Sequence, residues 1–546
     1  MDHPHLKPDI MLGNFNLVED SLDRLPCHQD DANAVASLGE LKSNTDLVDG
    51  WRCTHPDKRE YMHTHTPNAS QGRINRIYMR IALLATATEW AIGSTTIQTN
   101  HWLVSVKASI PEAPNIGKGC WQIPTYILED ADTVEEINRM GKKALEDIKA
   151  NRYHRTATAN PQTIFARFKC NVTKLCRKKV KKMHPTILNK IENRLNVINN
   201  PLVPEEDKML ESLVTKTEIL KLERILFESS KVYAKTKHHI HAEMICRDWI
   251  RLNRAKKPHD TIFSLYNPLE RDPTDEHNSQ KMAETAKEYH KTLQSIDCDP
   301  TLEPDLAKLD AILDNLHAQI SPKQKNVLAW PLSWPNVHIA LSNSGNDKAA
   351  GLDGIPMELW KKMSMLFDAN SEATVNPYCD IVEMLVRIFK DIEEHGICKS
   401  TKFNEGWMCP IYKKGERNNT TNYHPITVLN TDYKIMTKAL ANKLAEVAPS
   451  IIHRDQAGFL KGRSIYNQVK LAKLIIHYGH IMEKNGAIVA LDQEKAYDKI
   501  LHPYLWKVLE KFNFPQRFIK TVKHLYHNAS TSVIINRMIS TFYLVS

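Results

Sequence analysis

GAIVALDQEKAYD, residues 486–498, decides how the C-terminal part of the chain is read. Its apolar run, 487–491, predicts a buried strand that ends at Asp492. A carboxylate at the tip of a buried strand is costly unless a cation meets it, and a divalent metal is the natural candidate. Five residues on, Tyr497 sets an aromatic ring beside that carboxylate, suited to packing against a sugar. Asp498 reads as a carboxylate at a helix N-terminus, where negative charge is stabilising without any catalysis. A helix is predicted from His502-Pro503, with Tyr504, Leu505, Val508, Leu509 and Phe512 on one face. A second carries Phe518, Ile519, Val522, Leu525 and Tyr526, and 531–535 returns as a strand.

Around this stretch lie 546 residues, 42% of them hydrophobic, enough for about three or four folding units. That excludes a disordered tail or a single small module. The net charge of +9 is unevenly spread: residues 131–260 hold 28 Lys+Arg against 16 Asp+Glu, a net of +12, so the remainder is slightly acidic. The sharpest cluster is Arg177, Lys178, Lys179, Lys181 and Lys182, flanked by Lys169, Lys174 and Lys190. It can be a solvated helix face or a phosphate-contacting surface, and its setting in a long basic region favours nucleic acid. Ten Cys without a CxxC pair read as reduced thiols rather than a disulfide or zinc framework. No apolar run reaches membrane-spanning length, and the N-terminal residues lack a secretory apolar core, which predicts an intracellular protein, nuclear or cytoplasmic, with no membrane partner.

Texture divides the chain further. Residues 1–108 alternate short β-rich runs (9–13, 76–80, 102–106) with polar turns, and 111–124, rich in Pro and Gly, looks like a linker. Residues 128–300 show helical periodicity, as at Met209, Leu210, Leu213, Ile219, Leu220 and Leu222. From about 325 strands and helices mix again.

The strand–Asp–helix–helix–strand order and the wording LDQEKAYD resemble the palm of reverse transcriptases. Further matches lie upstream: KAAGLDGIP (348–356), PIYKK (410–414), NYHPITVLN (422–430) and QAGF followed by GRSI (456–459, 462–465) resemble the ordered motifs of non-LTR retrotransposon enzymes. The resemblance implies that Asp492 is one ligand of two Mg²⁺ ions in nucleotidyl transfer. It also implies that Tyr497 gates the sugar and that Lys413 or Lys414 neutralises the incoming triphosphate. His424 stands where the family has Arg, and a largely neutral imidazole is a poor substitute for a permanently charged phosphate clamp. The RQG and YxDD segments would follow Ser546, so Asp492 alone predicts no polymerase activity.

LGNFN (12–16), GRINRIY (72–78) and TNH (99–101) resemble, in order, the GDFN, SRIDRIY and TDH motifs of the endonuclease/exonuclease/phosphatase family, over about the last hundred residues of that domain. In the family those aspartates activate water, orient the His and support the metal. Here Asn14, Asn75 and Asn100 replace them, and an amide neither takes a proton at neutral pH nor supplies the charge Mg²⁺ prefers. His101 and Asn16 remain for phosphate contact. These changes, with His424 and Cys120 (GCW for GRW), are each one transition from the family codon, which predicts a decayed element copy.

The readings together predict a multi-domain α/β chain. Residues 1–108 are the C-terminal part of an endonuclease/exonuclease/phosphatase α/β sandwich, 109–324 a linker and basic α-helical connector, and 325–546 reverse transcriptase fingers and N-terminal palm, an α+β unit. The predicted function is an inactive fragment of a retrotransposon RNA-directed DNA polymerase with an endonuclease remnant, whose partners are an RNA template and a DNA target. Two alternatives stand beside it: a non-catalytic RNA- or DNA-binding remnant using the 131–260 region, and a stand-alone Mg²⁺-dependent phosphodiesterase.

Overall fold

The computed structural model describes residues 8–545 apart from 29, 62, 65–70, 94–101, 109–112, 152–153, 199–260, 296–309, 312, 494 and 497–499. The described residues are mixed α/β, with helices and four small sheets, and the chain divides into two compact units, 1–113 and 114–546.

In the first unit, β1 (Ile10–Asn14), β6 (Asn75–Arg80) and β3 (Leu47–Asp49) form an antiparallel sheet in the order β1-β6-β3. A second small sheet joins β2 (Arg24–Leu25), β5 (Gln71–Gly72) and β4 (His63–Thr64), and β7 (Thr88–Gly93) pairs with β8 (Leu103–Lys107). Helix α1 (Ala32–Thr45) starts where the Asp31 carboxylate accepts from the N–H groups of Asn33 and Ala34, the usual N-cap chemistry. Two short helices follow, α2 (Gly50–Thr54) and α3 (Ile81–Leu84). The apolar core is small: Leu38, Leu47 and Tyr78, with Met11, Phe15 and Leu17 against them. Charge fills what hydrocarbon does not. Arg73 and Arg76 are buried beside Asp23, Asp49 and Glu19.

In the second unit, α4 (Ala131–Ala150) and α5 (Pro161–Ile198) pack against each other and into one hydrophobic core with the helices that follow. These are α7 (Pro322–Ala329), α8 (Trp334–Ser342), α9 (Met357–Asp368), α10 (Ile381–His395), α11 (Thr431–Ile451), α13 (His502–Lys511) and α14 (Gln516–Tyr526), numbered so that α6 is Ser279–Ser295 and α12 is Ile465–Ile481. A sheet in the order β10-β9-β11-β12 completes the unit: β9 (Glu405–Tyr412), β10 (Tyr423–Leu429), β11 (Ser530–Ile535) and β12 (Met538–Ile539), with β13 (Tyr543–Leu544) on β11. Helix α6 covers it, burying Met282, Ala283 and Ala286 against Met408, Tyr423, Val533, Ile535 and Tyr543.

The predicted helices at 502 and 518 and the strand at 531–535 are present, and Pro503 sits in the first turn as expected. Three expectations need revision. The described part of 109–324 shares its core with 325–546, because the inward faces of α4 and α5 are apolar and need that cover. The 114–123 segment is a strap rather than a free linker: the N–H groups of Gly117 and Gly119 donate to the carbonyls of Asn536 (2.8 Å) and Arg537 (3.2 Å), and that of Ile123 to Gly354 (2.8 Å). Residues 487–491 do not form the buried strand. They are coil, with Ile488, Val489 and Leu491 exposed at 76, 76 and 92%. A strand needs neighbours to satisfy its ladder and a layer to bury it, and among the described residues nothing supplies either.

Candidate functional site

The hairpin β9–β10 carries the first group of candidate residues. Its register sets Tyr423 opposite Tyr412 and His424 opposite Ile411. The chain then turns through 413–422, closed by the Lys413 N–H donating to the Asn422 carbonyl (2.8 Å) and the Asn422 amide donating to the Glu416 carbonyl (2.9 Å). Lys413 and Lys414 leave the strand end exposed, and His424 is exposed where the returning strand begins. The Arg417 guanidinium stacks over the Tyr412 ring at 4.6 Å. The structure thus gathers Lys413, Lys414 and His424 at one end of one hairpin.

Asp492 is not brought into a ligand set. It is exposed, it has no ion pair or hydrogen bond with another described residue, and among the described residues no group of three His, Cys, Asp or Glu is placed to hold a metal ion. A Mg²⁺ ion needs several oxygen ligands in near-octahedral geometry, so these residues as placed do not fit one. Tyr497 lies outside the described residues. Nearby, Lys495 stands 6.0 Å from the Tyr289 ring on α6, and burial together with that cation pushes His290 down to about 4.

The motif at 348–356 folds into a knot that sequence reading missed. Lys169, from the inward face of α5, ion-pairs with Asp353 (2.9 Å) and with Asp432 (2.7 Å) at the start of α11. Burial pulls against the Lys169 cation, but the two carboxylates outweigh it and hold its pKa above the usual lysine range. Burial pushes the Asp432 carboxyl up, against the pull of Lys169. Beside them the Asn430 side-chain oxygen accepts from the Asp353 N–H (3.2 Å), and Thr431 links the Ile355 carbonyl (2.9 Å) to the Trp360 indole (2.8 Å). The available signal was Lys169's place among Phe165, Phe168, Val172 and Cys176, the apolar side of its helix.

Of the basic cluster, Arg177, Lys178, Lys181 and Lys182 are exposed on α5, and the Arg177 guanidinium lies over the Trp121 ring at 4.7 Å. Lys179 departs from the expectation. It pairs with Asp130, the N-cap of α4, at 3.3 Å, where α4 packs against α5. Lys169, read as a flank of the cluster, is the buried ion just described.

In the first unit the register sets Asn14 directly opposite Asn75 across β1 and β6. The Asn14 side-chain oxygen accepts from the Asn16 N–H at 2.9 Å, in a turn where Asn16 has φ +51. The Asn75 amide donates to the Trp102 carbonyl at 3.2 Å. Asn100 and His101 lie outside the described residues. Behind them, Arg73 binds Asp23 (2.8 and 2.6 Å) and Asp49 (2.6 Å), while Arg76 and the Tyr78 hydroxyl share Glu19 at 2.9 and 2.6 Å. Burial raises the Asp49 carboxyl, but the Arg73 hydrogen bond and the charges of Arg73 and Arg76 prevail and lower it below the usual carboxylate range. Sequence reading kept GRINRIY for Asn75 and missed both arginines.

Comparison with known proteins bears on part of this. Residues 411–543 match the family model of Reverse transcriptase (RNA-dependent DNA polymerase), a range that includes Lys413, Lys414, His424, Asp492 and Tyr497. The chain is also similar to the Transposon TX1 uncharacterized 149 kDa protein of Xenopus laevis, 27% identical over 542 residues. That similarity covers 96% of this chain, both units included, and 38% of the relative, so the chain spans about two fifths of the length of the curated relative it matches. The chain therefore contains a reverse transcriptase domain and resembles a transposon protein along nearly its whole length.

Proposed function

We propose that this chain is a nucleic-acid-holding fragment of a non-LTR retrotransposon polymerase, retaining the template grip of the fingers and carrying a nuclease-like unit without cleavage chemistry. The observation that carries the reading is the hairpin with Lys413, Lys414 and His424 at one end, inside the matched domain. Two lysines there attract phosphate, and His424 adds a hydrogen-bonding group. Polymerases of this family use divalent ions, and a single exposed Asp492 with no second carboxylate beside it among the described residues does not fit one. Binding without turnover is what remains.

For the first unit, the juxtaposition of Asn14 and Asn75, with the Asn75 amide on the Trp102 carbonyl, supports an endonuclease/exonuclease/phosphatase-like site. Amides can hydrogen-bond a phosphodiester yet cannot deprotonate water. DNA target contact without nicking is the expected behaviour.

The test is primer extension and template–primer binding on the same preparation with Mg²⁺. We expect no extension, with or without Asp492→Ala, and about a tenfold or greater loss of binding in Lys413→Gln/Lys414→Gln. Extension that depends on Asp492 would overturn the inactive assignment. Mg²⁺-dependent nicking of abasic DNA would favour the stand-alone phosphodiesterase instead.

A further inference from the structure

We infer that the outward face of α5 from Arg167 to Lys182 is a docking surface for the sugar–phosphate backbone of double-stranded nucleic acid. The inference deepens the polymerase-fragment reading and rests on it for the identity of the duplex, a template–primer hybrid. It places the contact outside the matched domain, on the connector.

Between 161 and 191 the sequence contains no Asp or Glu. On a helix advancing 100° per residue, Arg167, Lys174, Arg177, Lys178, Lys181 and Lys182 fall within about 140° of the circumference and along about 22 Å of axis. All six are exposed, and none has an ion pair with a described residue. The opposite side buries Phe165, Phe168, Val172 and Cys176, and the inward Lys169 is neutralised by Asp353 and Asp432. Among the described side chains of this helix, uncompensated charge is therefore confined to one face. Six cations crowded this way repel one another, a cost that a polyanion relieves.

Two features favour a duplex over a single strand. Proteins that hold single strands interleave cations with exposed aromatic rings on which bases stack. The exposed positions between these charges are Cys170 and Asn171, and the neighbouring Trp121 ring is covered by Arg177. The helix is also held rigidly, through the Lys169 ion pairs and the α4 contact of Lys179, so its charges keep fixed spacings. A duplex backbone offers phosphates at fixed spacings too, whereas a flexible strand gains little from such an array.

The experiment uses the full chain and a closed RNA–DNA hybrid hairpin, with a single strand of equal length and phosphatidylserine vesicles as comparison ligands. In Arg167→Gln/Lys174→Gln/Lys178→Gln/Lys181→Gln, the slope of log affinity against log salt for the hybrid should shrink by about 3 to 4, because each lost phosphate contact removes about 0.9. Affinity for the single strand should change far less. Lys143→Gln, an exposed lysine of α4, should leave the slope unchanged, and circular dichroism with a denaturation midpoint establishes that each variant folds. An unchanged hybrid slope in the folded quadruple variant would overturn the inference, as would equal loss on both nucleic acids, or loss confined to vesicles. If that variant binds the hybrid normally while Lys413→Gln/Lys414→Gln does not, the helix surface falls and the fingers reading stands. If Lys413→Gln/Lys414→Gln is silent and the quadruple variant is not, the template grip belongs to the connector.

Discussion

Lys169 illustrates how one side chain can be misread by charge alone. It sits in a run of basic residues, yet its work is internal, because it is the cation shared by two buried carboxylates that secure the 348–356 motif and the start of α11. Removing one member of such a set leaves a buried charge uncompensated, which costs about 3–5 kcal/mol. Lys169→Met is expected to lower the denaturant midpoint of the second unit accordingly, and Lys169→Met/Asp432→Asn to recover most of the loss. Asp432 adds a pH signature. Its folded pKa lies above its unfolded value, so its contribution favours the fold at low pH and is lost as pH rises through the folded pKa. Asp432→Asn should remove that component from a stability–pH profile; a profile identical to the parent's would refute the assignment. His424 is the opposite case at this scale. Its motif singled it out, while its exposure and its place opposite Ile411 follow from the pairing of β10 with β9.

Among the elements, the 114–123 strap and α12 behave least as their composition suggests. Pro and Gly usually mark a linker, but here glycine permits close approach. A Cβ on Gly117 would sit 2.5 Å from the Arg537 carbonyl oxygen, and Gly354, at φ +72, abuts the Trp121 carbonyl. Gly354→Ala is expected to destabilise by about 1–3 kcal/mol and to release the strap, read as faster hydrogen exchange at the Ile123 amide. Undiminished protection there would show that the strap does not depend on this glycine. Helix α12 shows the reverse mismatch. Ile465, Tyr466, Val469, Leu474, Ile475, Tyr478 and Ile481 surround it, a composition that belongs in a core, yet all are exposed. Since they contribute no burial, Leu474→Glu/Ile475→Lys should leave stability within about 0.5 kcal/mol of the parent while reducing dye binding to exposed apolar surface. A large drop in the denaturation midpoint would mean that the helix is covered in solution. The motifs at 410–414 and 422–430 lie close in sequence and pair as the β9–β10 hairpin, whereas the parallel pairing of β9 with β11 joins residues over a hundred positions apart and has no local signal.

The two units answer acid differently. In the first, a small apolar core is supplemented by Arg73 and Arg76 on Asp23, Asp49 and Glu19, and the Asp49 carboxyl is held below its ordinary range. Its contribution is present above the unfolded carboxylate pKa and lost as pH falls through the folded one. In the second, burial raises Asp432, Glu393 and Asp380, so protonation of these groups favours the fold, and burial opposes the lowering of Asp130, Glu284 and Glu383, where hydrogen bonds and neighbouring cations hold the carboxyls down. Acidification below about pH 4 should therefore unfold the first unit, followed through the fluorescence of Trp51, while the helical signal of the second persists. A single coincident transition would contradict this division of charge.

The sequence by itself determined what is written locally: the helix start at 502, the helix that carries Phe518 to Tyr526, the strand at 531–535 and the basic run that α5 presents. Only the tertiary structure decided which apolar runs are buried, which lysines are free and what the connector is attached to. Residues 487–491 have the composition of a buried strand but no sheet neighbour among the described residues, while Lys169 has the composition of a surface cation and sits between two carboxylates. Periodicity and capping act over a few residues, so they can be read from the chain. Burial and ion pairing depend on partners that are distant in sequence, and for Lys169 those partners, Asp353 and Asp432, lie 184 and 263 residues away.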